Sequence, residues 1–209
     1  MKKQTAKDLL QIKAIFLSPD LPFTWASGIK SPIYCDNRLT LTSPEVRTRI
    51  ENGLCRLIKE HYSDCEIVMG TSTAGIAHAA IVGHIMGLPM GYVRTAAKDH
   101  GRTNRIEGRL IPGQKTVVVE DLISTAGSVV EVVECLKEAG ADILGVVSIF
   151  TYGMRKGKDR LAENNIRNIS LTDFDTVTEV AVEQGIIKNT DKERLIAFRN
   201  NPLDQSWIG

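Results

Sequence analysis

The chain has 209 residues, 26 of them basic and 25 acidic, and apolar residues make up 43% of it. This length suffices for one substantial core, and the composition excludes a disordered or fibrous protein. The near-balance of charge gives no reason to expect a nucleic acid or a membrane as a partner. Apolar runs are too short for a transmembrane helix.

The cysteines and histidines show no metal-binding or redox pattern. Four cysteines are scattered without a CxxC pair, four histidines share no ligand spacing on one helix face, and no segment resembles a signal peptide. We therefore expect a cytoplasmic protein with reduced thiols and no structural metal.

The N-terminal part predicts a small cap over the main domain. A helical pattern runs from Lys7 to Leu17, the segment FTWASGIKSPIYCDNR covers residues 23–38, and a second helix begins near Ser43, where Pro44 suits the first turn. We expect a single domain, in which residues 1–65 form N-terminal helices and the cap region and residues 66–209 form an α/β core.

Beyond the cap, short β-branched runs alternate with amphipathic helical patterns. The runs are EIVMG, MGYVRT, KTVVVED, ILGVVSIF and NISLTD. Their alternation with helices predicts a mostly parallel sheet flanked by helices. In the helix after KTVVVED, Val129, Val132, Val133 and Leu136 share one face, and Gly140 stands where a left-handed cap belongs. The terminal stretch NPLDQSWIG is expected to be exposed.

Residues 97–112, AKDHGRTNRIEGRLIP, lack periodicity and are rich in charge and glycine. A segment of this kind inside a compact domain is typical of a flexible functional lid. From composition alone, a solvated loop partly neutralised by Asp99 and Glu107 is the simpler interpretation. The cations in and beside the segment are Arg94, Lys98, His100, Arg102, Arg105 and Arg109.

The stretch VVVEDLISTAGS, residues 117–128, combines a buried strand, two adjacent acids and a loop of small hydroxylated residues that opens a helix. Such a helix start offers unpaired N–H groups to a phosphate. Glu120 and Asp121 would repel that phosphate unless they face sugar hydroxyls or Mg²⁺. A ribose 5-phosphate satisfies both conditions. Alternatively, the acids end a surface strand and the hydroxyls cap the helix; the residues alone leave both interpretations open.

VVVEDLISTAGS resembles the phosphoribosyl-diphosphate loop of the type I phosphoribosyltransferases, with Ala126 where that family often has glycine. The resemblance implies a fold of that type and a Mg²⁺-dependent transfer of ribose 5-phosphate, with the metal held mainly by substrate oxygens. It also implies that the donor, 5-phosphoribosyl 1-diphosphate, is bound by Glu120, Asp121, Leu122, Ile123, Ser124, Thr125, Ala126, Gly127 and Ser128.

Two further segments, VRTAAKDHG (93–101) and the FT..SG.KSP core (23–32), resemble the orotate branch of that family. This resemblance implies transfer to orotate in pyrimidine (UMP) biosynthesis by a homodimer whose lids reach the neighbouring sites. The implied diphosphate ligands are Arg94, Lys98 and His100, and the implied catalytic residues are Lys98 and Asp121.

The same resemblance leaves the base site less defined. Ser124 and Tyr34 are the residues it implies for orotate, although Tyr34 could equally be a core residue of the cap, and Arg155 is a weaker candidate for the orotate carboxylate. GTSTAGIAHA, residues 70–79, is implied as a second anion site. In that branch many members carry lysine at the position of Thr95, relatives often carry it at that of Ala26, and some carry it at that of Ala74.

Two other functions remain open. A phosphoribosyltransferase for another base would share the loop but would not need the two orotate-branch segments. A ligand-sensing regulator of the same fold would normally require a DNA-binding domain and a basic surface.

Overall fold

The computed structural model describes residues 1–25, 28–94 and 105–208. Its central sheet has six strands, five of them parallel, and only the edge strand β7 runs antiparallel to its neighbour. The predicted mostly parallel α/β fold is therefore confirmed. In spatial order the strands are β10 (Asn168–Asp173), β9 (Asp142–Thr151), β8 (Lys115–Ile123), β5 (Ile67–Thr71), β6 (Met90–Val93) and β7 (Ile106–Glu107).

Helices cover both faces of this sheet. Side chains that alternate along β8 divide between two core clusters, with Val117 and Val119 in one and Val118 in the other. The first cluster packs against α1 (Lys2–Gln11), α2 (Pro44–His61), α3 (Ala74–Met86), α6 (Phe174–Glu183) and α7 (Asn189–Asn200). The second packs against α4 (Gly127–Glu138) and α5 (Arg155–Glu163).

The helix α4 follows its predicted pattern. Val129, Val132, Val133 and Leu136 are all buried against the sheet. The helix ends at Glu138, and Gly140 adopts a left-handed φ of +90°. The N–H of Gly140 donates to the Lys137 carbonyl, which closes the last turn. The predicted apolar face and left-handed cap are confirmed.

The predicted helix from Lys7 to Leu17 is wrong at both ends. The helix α1 spans Lys2–Gln11, Lys13 has a left-handed φ of +58°, and β1 follows at Ile15–Leu17 with alternating burial. A left-handed residue cannot continue an α-helix, and a period of two directs Ile15 and Leu17 to the core.

Two small antiparallel sheets form the cap. In the first, β1 pairs with β4 (Ile33–Cys35), and in the second, β2 (Phe23–Thr24) pairs with β3 (Lys30–Ser31). A 3-10 helix, Asn37–Thr42, follows β4 and contacts β8. The cap therefore reaches the central sheet through this 3-10 helix.

The C-terminal stretch was expected to be exposed, and for Trp207 this is wrong. Its side chain is only 3% exposed, and its ring lies 5.6 Å from that of Phe198, centroid to centroid. Arg194 Nε donates a hydrogen bond to the Trp207 carbonyl across 2.9 Å. Burial of a large aromatic ring releases more free energy than the conformational entropy that a short polar tail loses when it is ordered.

Within the described ranges, no helix is both long and apolar enough to cross a membrane.

Candidate functional site

The residues singled out in the sequence converge on one edge of the sheet. Strands β5, β6, β8 and β9 are parallel, so their carboxyl ends open at the same edge. Ligands of open α/β sheets bind at this edge. Thr71 ends β5, Arg94 follows β6, and the acid pair lies near the end of β8.

The acid pair is buried unequally. Glu120 is 5% exposed, and its Oε1 accepts a hydrogen bond from the N–H of Asp121 across 2.8 Å. Burial, together with the side-chain hydrogen bond and the charge of Asp121, raises the pKa of Glu120 to about 8, although a hydrogen bond with Thr71 opposes the shift. At neutral pH the pair thus carries less negative charge than two ionised carboxylates, which reduces its repulsion of a phosphate.

The loop after β8 leads directly into α4. The residue that precedes the helix is Ala126, in the left-handed conformation with φ 59° and ψ 14°, and no described side chain caps the helix start. The interpretation of Ser124 and Thr125 as mere helix caps is therefore wrong. The first N–H groups of α4 have no partner within the helix and are available to an anion.

The helix α5 supports this loop from behind. Arg160 Nη1 donates to the Thr125 carbonyl across 3.2 Å. A side chain added at Gly157 would collide with the Ser124 carbonyl, so glycine permits the close approach of helix and loop. The loop backbone is thus held by two residues of one helix.

The predicted second anion site has a similar geometry. Thr71 ends β5, Thr73 precedes α3, and no side chain in the described ranges caps that helix start. The Ser72 hydroxyl donates to the carbonyl of Val93, the last residue of β6. This hydrogen bond ties the loop after β5 to the strand that leads to Arg94.

Arg94 is anchored by its backbone. Its N–H donates to the Arg105 carbonyl across 2.8 Å, and Arg105 Nε donates to the Arg94 carbonyl across 2.9 Å. Arg94 Nη1 lies 3.6 Å from Glu107 Oε1 and makes no hydrogen bond to the described residues.

Lys98 and His100 lie outside the described residues. The sequence did not predict β7 within residues 97–112.

Asn37 is a site residue that the sequence reasoning missed. It is 1% exposed, and its Nδ2 donates to the Asp121 carbonyl across 2.8 Å. The available signal was its place in SPIYCDNR, directly after the segment that resembles the orotate branch. Nothing in that pattern indicates that the side chain reaches β8.

Tyr34 is 46% exposed, and its ring lies 5.7 Å from that of Phe23. The alternative interpretation of Tyr34 as a core residue of the cap is therefore wrong. Its contact with a base stays a prediction. Arg38 beside it pairs with Asp36 at 2.6 Å, and the Arg38 guanidinium lowers the pKa of that carboxyl.

A cavity of about 580 Å³ opens beside the loop after β8. Its wall includes Trp25 and Ile29 of the cap, Thr125 of the loop, and Arg155. Neither Glu120 nor Asp121 lines it, so it adjoins the strand-end site without containing the acid pair.

The side chain of Arg155 is 89% exposed and lies 3.6 Å from the Asp159 carboxylate. Within the described ranges no three metal-ligating side chains cluster.

Comparisons with known proteins agree on one family. The model of the phosphoribosyl transferase domain matches residues 47–183. An orotate phosphoribosyltransferase of Bacillus cytotoxicus is 56% identical over 208 residues, which are 100% of this chain and 99% of that protein.

Solved structures share the fold. The orotate phosphoribosyltransferase of Aeropyrum pernix has a TM-score of 0.76 at 26% identity, covering 87% of this chain and 98% of its own. The UMP synthase of Leishmania donovani has a TM-score of 0.80 at 24% identity and covers 94% of this chain, which spans 42% of that longer protein.

Proposed function

Because the chain belongs to the orotate phosphoribosyltransferase family, we propose that it transfers the 5-phosphoribosyl group from 5-phosphoribosyl 1-diphosphate to orotate. The bond from the anomeric carbon to the diphosphate oxygen breaks, a bond to the orotate ring nitrogen forms, and that nitrogen loses its proton. The products are diphosphate and orotidine 5-phosphate, a step in UMP biosynthesis. The observation that carries the proposal is the uncapped start of α4, one short loop after the buried Glu120 and the half-buried Asp121.

The donor's ribose 5-phosphate is assigned to the loop after β8. The phosphate would accept hydrogen bonds from the first N–H groups of α4 and from the hydroxyls of Ser124, Thr125 and Ser128. The neighbouring residues Leu122, Ile123, Ala126 and Gly127 would line the same site. Glu120 and Asp121 would bind the ribose hydroxyls, and Asp121 would stabilise the positive charge that develops on the sugar.

The diphosphate is assigned to cations and to the loop after β5. Arg94 follows β6 at the same edge of the sheet, and its guanidinium, which lies 3.6 Å from the Glu107 carboxylate, would bind a phosphate oxygen. The family resemblance adds Lys98, as the catalytic cation, and His100. The N–H groups that open α3 would complete the site.

Mg²⁺ is the proposed cofactor. Hard carboxylate oxygens suit this ion, which keeps several waters and takes one or two carboxylates besides substrate phosphates. Substrate oxygens would hold the ion mainly, and the half-buried Asp121 at the end of β8 could add one carboxylate oxygen. When bound, the ion would neutralise charge on the departing diphosphate.

Orotate is assigned to the space between the cap and the loop. Ser124 would meet the polar edge of the base, and the half-exposed ring of Tyr34 would stack on it. Arg155 carries a largely exposed guanidinium near the loop and remains a candidate for the carboxylate of the base.

The assembly is proposed to be a cytoplasmic homodimer. The sequence predicts the lid at residues 97–112, but Ile106 and Glu107 pair with β6 as strand β7 of the central sheet. The family resemblance of residues 93–101 supports a lid that precedes this strand, closes over the neighbouring subunit's site and excludes water.

Turnover of orotate tests the proposed function. Purified protein with 5-phosphoribosyl 1-diphosphate and Mg²⁺ should consume orotate, measured by the loss of its absorbance, and should leave uracil and purines unchanged. Asp121→Asn should lower the rate by about 10²–10³-fold. Turnover of another base without orotate would contradict the assigned base, and ligand binding without any turnover would favour a sensor of the same fold.

A further inference from the structure

A buried amide connects the cap to the acid pair. Asn37 opens the 3-10 helix, and its Nδ2 donates to the carbonyl of Asp121, 84 residues away in the chain. The bond is 2.8 Å long, and the Asn37 side chain is almost completely buried. A hydrogen bond removed from water in this way holds its partners in one geometry, because breaking it leaves a buried polar group unsatisfied.

The Asp121 backbone depends on this bond because β8 no longer pairs with β5 at this position. Pairing between β5 and β8 ends at Gly70 and Val119, whereas β8 continues to Ile123. The N–H of Asp121 is bonded to Glu120 Oε1, and its carbonyl is bonded to Asn37. Two side chains therefore orient the peptide groups on either side of Asp121.

Asn37 is itself held in place. The Cys35 thiol donates to Asn37 Oδ1 across 3.4 Å, and the Thr40 hydroxyl donates to the Asn37 carbonyl across 2.6 Å. The first contact occupies the oxygen of the amide, which leaves the nitrogen to face Asp121. The amide is thus oriented before any substrate binds.

We propose that Asn37 is a positioning residue that aims the Asp121 carboxylate at the ribose. The inference rests on the proposed function, since it requires Asp121 to act on the sugar. Asn37 bonds to the main chain of β8 and acts through Asp121 alone. Misplacement of a catalytic group by about 1 Å can lower a rate about 10²-fold, so loss of this hydrogen bond should lower kcat measurably.

A double-mutant cycle tests this role. Asn37→Ala should lower kcat about 10- to 100-fold, with a smaller change in the KM for 5-phosphoribosyl 1-diphosphate. Asn37→Asp keeps the shape of the side chain but has no N–H, and should show a similar loss. In the Asp121→Asn background, Asn37→Ala should cause little further loss, because its effect passes through that carboxylate. Single turnovers at high enzyme concentration measure the slow variants.

Asn52→Ala is the matched control. Asn52 also donates from its amide to a backbone carbonyl, that of Thr48, but does so on the exposed side of α2. Its replacement should leave kcat unchanged. Thermal unfolding of each variant identifies those that are folded, and if Asn37→Ala is not, the cycle is completed with Asn37→Asp.

Two results would overturn the inference. One is a folded Asn37 variant with the wild-type kcat, and the other is a fully additive cycle, which would indicate a general structural role. Failure of the proposed function looks different, because the wild type itself would then not consume orotate. If the wild type used another base, the same cycle on that base would decide the role of Asn37.

Discussion

At the residue scale, burial changes what the acid pair offers to a substrate. The string ED predicts two negative charges, but the fold removes Glu120 from water and places its carboxyl against the Asp121 N–H. The acids and the small loop residues were predictable from sequence because they are adjacent. Neither the raised pKa of Glu120 nor the contact of Asn37 was predictable, since both depend on chain segments that only the tertiary fold brings together.

The raised pKa of Glu120 predicts a pH-dependent stability. Below pH 4.5 the carboxyl is protonated in the folded and the unfolded chain, so its full contribution to the free energy of unfolding is present. As the pH rises towards about 8, only the unfolded chain loses the proton, and the free energy of unfolding falls. Urea unfolding of the protein without ligands at pH 5.5 and 7.5 should therefore show a decrease of about 1 kcal/mol per pH unit relative to Glu120→Gln.

Asp121→Asn serves as the comparison for that measurement. It removes the charge that raises the pKa of Glu120 but leaves the carboxyl buried, so it should reduce the difference in slope without abolishing it. A constant difference between the wild type and Glu120→Gln across this range would show that Glu120 ionises normally in the folded protein.

At the scale of elements, the repeated patterns were predictable and the short irregular pieces were not. The helix α4 and the parallel strands each bury a continuous apolar face, which a period of 3.6 or 2 reveals. The strands β1 and β7 have three and two residues, too few to show a period. Each pairs antiparallel with its partner strand, unlike the parallel strands of the central sheet. The contact of α5 with the loop after β8 likewise has no local signal.

Gly157→Ala tests the contact between α5 and the loop. Alanine favours a helix over glycine by up to about 1 kcal/mol, but here its methyl group would push against the Ser124 carbonyl. We expect a net loss of stability of about 1–3 kcal/mol and a roughly tenfold higher KM for 5-phosphoribosyl 1-diphosphate. Urea unfolding and steady-state kinetics measure the two effects.

Gly53→Ala is the control, because this helical glycine of α2 faces only the flexible end of Leu171. It should leave the KM unchanged. An unchanged KM in Gly157→Ala as well would mean that the loop does not depend on its contact with α5.

At the scale of the whole molecule, the N-terminal helices share one core with the sheet. Leu9 of α1 and Leu54 of α2 belong to the same buried cluster as Val119 of β8. This continuity supports the proposed single domain. The proposed association of two chains rests on resemblance alone, because no period or spacing in one sequence specifies the partner of a surface.

Mixing two inactive variants tests the shared site. Lys98→Ala lacks the cation of the lid, and Asp121→Asn lacks the carboxylate of the loop. If the lid acts across the interface, each mixed dimer contains one intact site, and statistical mixing should restore roughly a quarter of wild-type activity. Mixed dimers that form but remain inactive would place the lid over its own subunit's site. Reassembled wild-type protein is the control for losses during mixing.

The packing around Phe198 also gives the protein an internal optical probe. The chain has two tryptophans, and their rings lie on this one phenylalanine, Trp25 at 5.7 Å and Trp207 at 5.6 Å. Trp207→Phe would leave Trp25 as the sole indole, in the wall of the cavity beside the loop after β8. Its fluorescence would then follow the entry of ligands in real time, without a dye and without catalysis.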